Sequence, residues 1–371
     1  MLLPRPAPAP ADDTFLRRLS PARLVLPVLL GLTVVGFMFW RSFTKEGFSA
    51  AELAKLLHAD WRWLLATLLV LLARDAGYVY RIRHIAERAL TYRQALDVIM
   101  IWEFASCVLP SGQGGTGAAP FILSKEGIPL GKALAYVMVT ALLDNLYYVL
   151  MVPLVVVFAY HQFYPTEALQ SGFITTLKVA FGVSYFFVTA YAGLMTYAIF
   201  VNPRSVRRLL VRLFSLPVLR RFQRTAYRHG QDMVLASTQL RGHGWGNWGR
   251  AAGSTAFVWT ARYAIIGCLI AAFVPMDVPT FLHIFARNIT YKVILLVAIT
   301  PGGAGIAEGA FPTFFGKFIG TATLTSFLVL LYRAVTFYLY LGLGTFFLPR
   351  WVARVFGAAP APATNPTAAV G

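Results

Sequence analysis

The sequence predicts an all-α polytopic membrane protein, built as an inverted repeat of transmembrane helices with two opposed re-entrant helical hairpins. Three observations carry that prediction. Of 371 residues, 58% are hydrophobic and only 13% are charged, too apolar a balance for the surface of a soluble domain. Two glycine-rich breaks interrupt apolar stretches: PSGQGGTG from Pro110 to Gly117 and PGGAG from Pro301 to Gly305. One shift of 188 residues carries Gly114, Gly115 and Gly117 onto Gly302, Gly303 and Gly305, and it also carries Arg74 onto Arg262 (302 − 114 and 262 − 74 agree). Broken helices at matching places in two halves of a membrane chain point to a transport site. Finally, the arginines crowd into alternate polar segments, as the positive-inside rule requires. The net charge of +18 therefore reads as membrane topology, and no nucleic-acid partner is expected.

Residues 1–22 form a Pro/Ala-rich, then basic tail expected to be disordered. The first repeat follows over 23–200. Leu24 to Trp40 is long for a signal-peptide core and lacks a small-residue cleavage site, so it reads as a span. Ser49 and Glu52 have capping-box spacing before Leu53, Leu56 and Leu57, which reads as a short interfacial helix. Trp61 to Tyr80 spans and is followed by Arg81, Arg83, His84, Arg88 and Arg93. Gln94 to Leu109 leads into the first break, and Ala118 to Leu123 is too short to cross a core of about 30 Å. Ala133 to Ala159 and Phe173 to Phe200 span.

Residues 201–250 are a basic linker with ten arginines against one acid, Asp232. Within it, Arg207 to Phe214 alternates Arg with Leu, Val and Phe, the pattern of an amphipathic helix at an anionic surface or of a topology-setting loop. The second repeat covers 251–349. Ala251 to Val274 spans, Phe281 to Thr300 leads into the second break, Ile306 to Gly320 returns, and Thr321 to Leu348 spans. A second tail, 350–371, is expected to be disordered.

Loop charges place both termini, the Arg81–Arg93 loop and the basic linker in the cytoplasm, and the loops around Glu167 and Asp277 outside. The location that follows is a multi-pass protein of the cell (inner) membrane. Gln94 to Leu123 must then leave and return on the cytoplasmic side, and Phe281 to Gly320 on the outer side. Non-helical backbone at such depth is tolerated only where it is buried in protein or lines a wet cavity.

The chemistry follows from ionisable residues at membrane depth, each costing at least about 2.5 kcal/mol to insert. Arg74, Arg262 and Arg333 are the expected phosphate-binding groups, because guanidinium matches phosphate oxygens with planar, paired hydrogen bonds. Snorkelling is the alternative for Arg74. Gly114, Gly115, Gly117, Gly302, Gly303 and Gly305 read either as close helix packing or as exposed amides that bind an anion. Glu308 joins this substrate-binding set. Asp75, Glu103 and Asp144 read as charge-balancing or proton-carrying groups, or as internal ion pairs. Arg287 and Lys292 lie in or beside the second hairpin. Gly112, Gly114 and Gly117 match G-x-G-x-x-G by letter, yet no strand precedes them and no acidic partner follows in a βαβ unit. No catalytic constellation, cofactor motif or metal spacing stands out, so no enzyme activity, cofactor or metal is expected. Cys107 and Cys268 read as core side chains.

The segments LPSGQGGTGAAPFILSKEGIPLGKALAYVMVTALLDN (Leu109 to Asn145) and TPGGAGIAEGAF (Thr300 to Phe311) resemble the lysylphosphatidylglycerol synthase transmembrane-region family, also described as flippase-like or UPF0104. In multiple-peptide-resistance members this module precedes a soluble aminoacyl-phospholipid synthase domain and moves the modified lipid between leaflets. The resemblance implies a translocator module here, without the synthase domain. The expected partners are a phospholipid or polyprenyl-phosphate lipid and the bilayer itself, with a homo-oligomer or a membrane enzyme as further partner classes. The competing readings are a proton-coupled small-solute transporter and a non-transporting partner of a membrane glycosyltransferase or lipid-modifying enzyme.

Overall fold

The computed structural model describes residues 58–109, 114–163, 171–213, 244–295 and 300–356, with isolated positions elsewhere. The expected first span (Leu24 to Trp40), the expected interfacial helix (Ser49 to His58) and Pro110 to Gln113 lie almost wholly outside the described residues. Among the described residues every element is helical: α1 (Trp61–Ile85), α2 (Tyr92–Val108), α3 (Gly114–Lys125), α4 (Leu130–Phe163), α5 (Ser171–Phe200), α6 (Pro203–Leu213), α7 (Trp245–Ala271), α8 (Val278–Leu295), a 3₁₀ turn (Pro301–Gly303), α9 (Ile306–Ile319), α10 (Ala322–Arg333), a π-helical turn (Ala334–Tyr338) and α11 (Leu339–Phe356).

Among the described residues five stretches are long and apolar enough to cross a membrane: Trp61–Ile85, Leu130–Ala159, Lys178–Phe200, Trp245–Ala271 and Ala322–Val355. They match five of the six expected spans, and the chain is an all-α, multi-pass membrane protein. Its outer surface agrees. Phe158 (81%), Val157 (76%), Leu150 (69%) and Phe186 (67%) are exposed on α4 and α5, a belt that only lipid hydrocarbon can solvate.

The remaining arms are shorter. α2 has 17 residues and α3 has 12, so they reach about 25 and 18 Å at 1.5 Å per residue. They pack on each other as a helical hairpin. α8 and α9, with 18 and 14 residues, form a second hairpin through the Pro301–Gly303 turn. Caps explain where these arms begin. Thr91 and Gln94 form a reciprocal capping box for α2, and Thr321 accepts from the Leu324 amide at the start of α10.

The broadest helix contact joins α1 to α7, the helices that carry Arg74 and Arg262. They run antiparallel. The Asp60 amide donates to Ala272 O (2.8 Å) at one end, and His84 Nε2 meets Asn247 O (3.1 Å) at the other. Gly77 permits the close approach, since a Cβ there would stand 2.8 Å from Val258 Cγ2.

One boundary differs from expectation. The last helix does not stop at 349, because α11 continues to Phe356. The cause is a polar clasp. Trp351, 1% exposed, donates its indole N–H to Glu126 Oε1 (2.7 Å), and Arg354 bonds Glu126 Oε2 (2.9 Å) and Asp97 Oδ2 (2.8 Å). Gln94 also donates to Glu126 (2.9 Å). The base of the first hairpin is thereby tied to the last helix.

Candidate functional site

Residues 74, 78 and 81 of α1 are spaced i, i+4, i+7, which places them on one helix face. Thr255, Trp259 and Arg262 of α7 repeat the spacing. Facing stripes on two antiparallel helices give the interior a polar seam that α2, α4, α8 and α10 close from the sides.

The first cavity, about 120 Å³, is lined by residues of α1, α2, α4 and α7, with Thr116 from α3. Its charged groups are Arg81, Glu103, Asp144 and Arg262. Arg81 forms an ion pair with Asp144 and also donates to Thr255 Oγ1 (3.3 Å). Asp144 Oδ1 accepts a second bond from Trp259 Nε1 (2.6 Å). The Arg81 guanidinium lies 4.9 Å from the Tyr78 ring centre, a cation–π distance.

The second cavity, about 150 Å³, is lined by Arg74, Glu103, Arg262, Lys292, Gly302, Gly303, Tyr332, Arg333 and Phe337 among others. Each cavity has room for on the order of ten waters, since one water needs about 10–15 Å³ on this measure. Arg262 Nη2 pairs with Glu103 Oε1 at 2.7 Å, with side chains 25% and 16% exposed, and both residues face both cavities. Arg74, 1% exposed, pairs with Asp75 (2.7 Å) and donates to Tyr340 Oη. Tyr340 in turn donates to Asp75 Oδ2 (2.6 Å). Arg333 Nε pairs with Glu308 Oε1 (2.7 Å), and its Nη1 donates to Gly302 O (3.0 Å).

The second glycine break shapes this wall. Gly302, Gly303 and Gly305 have φ of +56°, +68° and +84°, the left-handed region that glycine adopts without strain. A Cβ on Gly302 would also stand 2.3 Å from the Phe337 ring. The Gly305 amide donates to Glu308 Oε2 (2.7 Å), closing the first turn of α9. Phe337 lies in the π-helical turn, and π-turns inside α-helices mark functional sites often.

The expected residues separate into two groups. Arg74, Arg262, Arg333, Gly302, Gly303 and Glu103 meet at the second cavity, and Asp144 lines the first. Gly117, Gly305, Asp75 and Glu308 stand outside both linings, and the surroundings of Gly114 lie outside the described residues. Glu308 is 0% exposed and holds Arg333 from behind; it does not face the cavity. Gly115 serves packing: a Cβ there would lie 2.0 Å from Ser106 Oγ and 2.6 Å from Trp102 O. Arg81 reads from sequence as a cytoplasmic flank, yet it is 4% exposed and anchors the first cavity. Its register with Arg74 and Tyr78 was the available signal. Trp259, Tyr148 and Tyr340 lacked one, because aromatic residues at helical spacing are usually packing. Arg287 stays out of the cavities, donating to Phe314 O (3.3 Å). Among the described residues no three His, Cys, Asp or Glu side chains gather as a metal site, and Cys107 and Cys268 are buried free thiols.

Comparison with known proteins places this architecture. The profile of the lysylphosphatidylglycerol synthase TM region matches residues 28–344. A UPF0104 membrane protein of Archaeoglobus fulgidus is 22% identical over 330 residues, covering 85% of this chain and 92% of that protein. No solved structure matches.

Proposed function

The chain belongs to the lysylphosphatidylglycerol synthase transmembrane-region family, and on that premise we propose that it binds a phosphate-bearing lipid headgroup between its two helical hairpins and translocates it. One observation carries the reading: Arg74, Arg262 and Arg333 border a single interior cavity beside the Gly302–Gly303 break. Guanidinium groups around a void at membrane depth suit a phosphate, while acyl tails stay in the surrounding lipid. The positive-inside rule puts the His84 end of α1 in the cytoplasm. The first cavity then lies toward the cytoplasm and the second deeper, with the Glu103–Arg262 pair between them. That arrangement suits passage in two stages.

The test is binding of short-chain phospholipids to the purified protein. Arg262→Ala weakens phosphate-dependent binding by at least about tenfold, the scale expected when one partner of a buried charged contact is truncated. Unchanged binding contradicts the reading. Glu103 and Asp144 on the cavity walls favour a second reading, a proton-coupled small-solute transporter. It requires proton uptake into proteoliposomes that depends on a water-soluble substrate and is abolished by Glu103→Gln.

A further inference from the structure

Four guanidinium groups and one ammonium border the two cavities. Four carboxylates answer them: Asp75 for Arg74, Asp144 for Arg81, Glu103 for Arg262 and Glu308 for Arg333. Lys292 is the exception. Among the described residues no carboxylate pairs with it; its ammonium donates to the Tyr332 hydroxyl and lies 5.6 Å from the Tyr291 ring centre and 5.3 Å from that of Tyr332. Among the described residues the site therefore holds one cation that a hydroxyl, and no carboxylate, answers.

Two guanidinium nitrogens point the same way. Arg262 Nε and Arg333 Nη2 are buried and have no hydrogen-bond partner. On Arg333, Nε lies 2.7 Å from Glu308 Oε1 as an ion pair without hydrogen-bond geometry and Nη1 donates to Gly302 O, so Nη2 remains for a ligand. Buried donors left without acceptors are costly, and each predicts an occupant that accepts from it. Both arginines and Lys292 line the second cavity.

We propose that this cavity selects a phosphate ester carrying one net negative charge, with Lys292 as the specificity-determining residue and Lys292 Nζ, Arg262 Nε and Arg333 Nη2 as the donors. The proposal rests on the headgroup reading above and adds the charge class of the substrate. A phosphodiester offers two anionic oxygens for three donors and neutralises the surplus charge. A zwitterionic headgroup brings its own ammonium, leaves the surplus in place and sets like charges together in a low dielectric. Specificity of this kind comes from the charge that is repelled as much as from the one that is bound.

The experiment is a direct competition. The purified protein is mixed with equal amounts of dioctanoyl phosphatidylglycerol and dioctanoyl phosphatidylcholine, and the bound lipids are counted by native mass spectrometry. The wild type retains the anionic lipid by about tenfold over the zwitterionic one. Lys292→Met brings that ratio close to one by losing the anionic lipid alone, and Lys292→Arg keeps the preference, which shows that charge rather than folding is read. Inorganic phosphate added to the complex separates the sources: displacement assigns the bare phosphate group as the ligand, and retention assigns the lipid. Equal retention of the two lipids by the wild type, or an unchanged ratio in Lys292→Met, overturns the charge selection while leaving headgroup binding intact. Absence of any bound lipid or phosphate overturns both.

Discussion

Glu103 on α2 and Arg262 on α7, 159 positions apart, meet at 2.7 Å and contribute to the walls of both interior cavities. The first hairpin thus answers the arginine that the 188-residue shift pairs with Arg74. Because this pair is part of each wall, its rearrangement changes what either cavity can hold. Glu103→Gln leaves Arg262 without a counter-charge. The variant is less stable by about 1–3 kcal/mol, the cost of leaving a partly buried charge unsatisfied. It also retains anionic lipid more strongly than the wild type, because the site has gained a positive charge. Thermal unfolding and native mass spectrometry on the same sample check both signs.

Arg81 and Asp144 supply the sharper stability test. Arg81→Met strands Asp144 beside Trp259 and costs about 3–5 kcal/mol, as for other buried pairs broken on one side. The double variant Arg81→Met with Asp144→Leu recovers most of that loss, since an apolar pair of similar volume replaces the ionic one. A double-mutant cycle in detergent measures the coupling, and additive losses contradict the pairing.

Gly302→Ala carries two separable penalties. The left-handed backbone costs roughly 1 kcal/mol for a residue with a Cβ, and the new methyl meets the Phe337 ring at 2.3 Å. Adding Phe337→Ala relieves the clash and leaves the backbone cost. Unfolding midpoints therefore order as wild type, the double variant corrected for Phe337→Ala alone, then Gly302→Ala.

The clasp at Glu126 predicts a local effect. Glu126→Gln removes the charge that Arg354 and the Trp351 indole share. Backbone amides of 123–128 and 351–356 then exchange faster with deuterium, while amides around Arg262 do not change. Faster exchange throughout the molecule contradicts a clasp confined to the hairpin base.

Much of this was legible in the sequence because hydrocarbon imposes strict rules. Span length and apolar composition have physical causes that act locally, and the five described spans follow them. Arg74, Arg262 and Arg333 stood out for the same reason, being expensive where they lie. What pattern could not supply was partner choice. Arg81 looks like any basic flank until α4 presents Asp144 to it. Glu308 looks like a cavity residue, yet its two oxygens are taken by the Gly305 amide and Arg333. Trp351 continues α11 past the expected tail because Glu126 waits 225 positions upstream. Each of these depends on which helices pack together, and no local signal encodes that.

The most direct measurement of the central claim is headgroup movement between leaflets. Proteoliposomes carrying a fluorescent anionic phospholipid are treated with membrane-impermeant dithionite, and the fraction of label bleached is followed in time. Wild-type protein exposes label from the inner leaflet well above the rate of empty vesicles, and Arg262→Ala reduces that excess by at least about tenfold. Equal bleaching in wild-type and empty vesicles contradicts translocation.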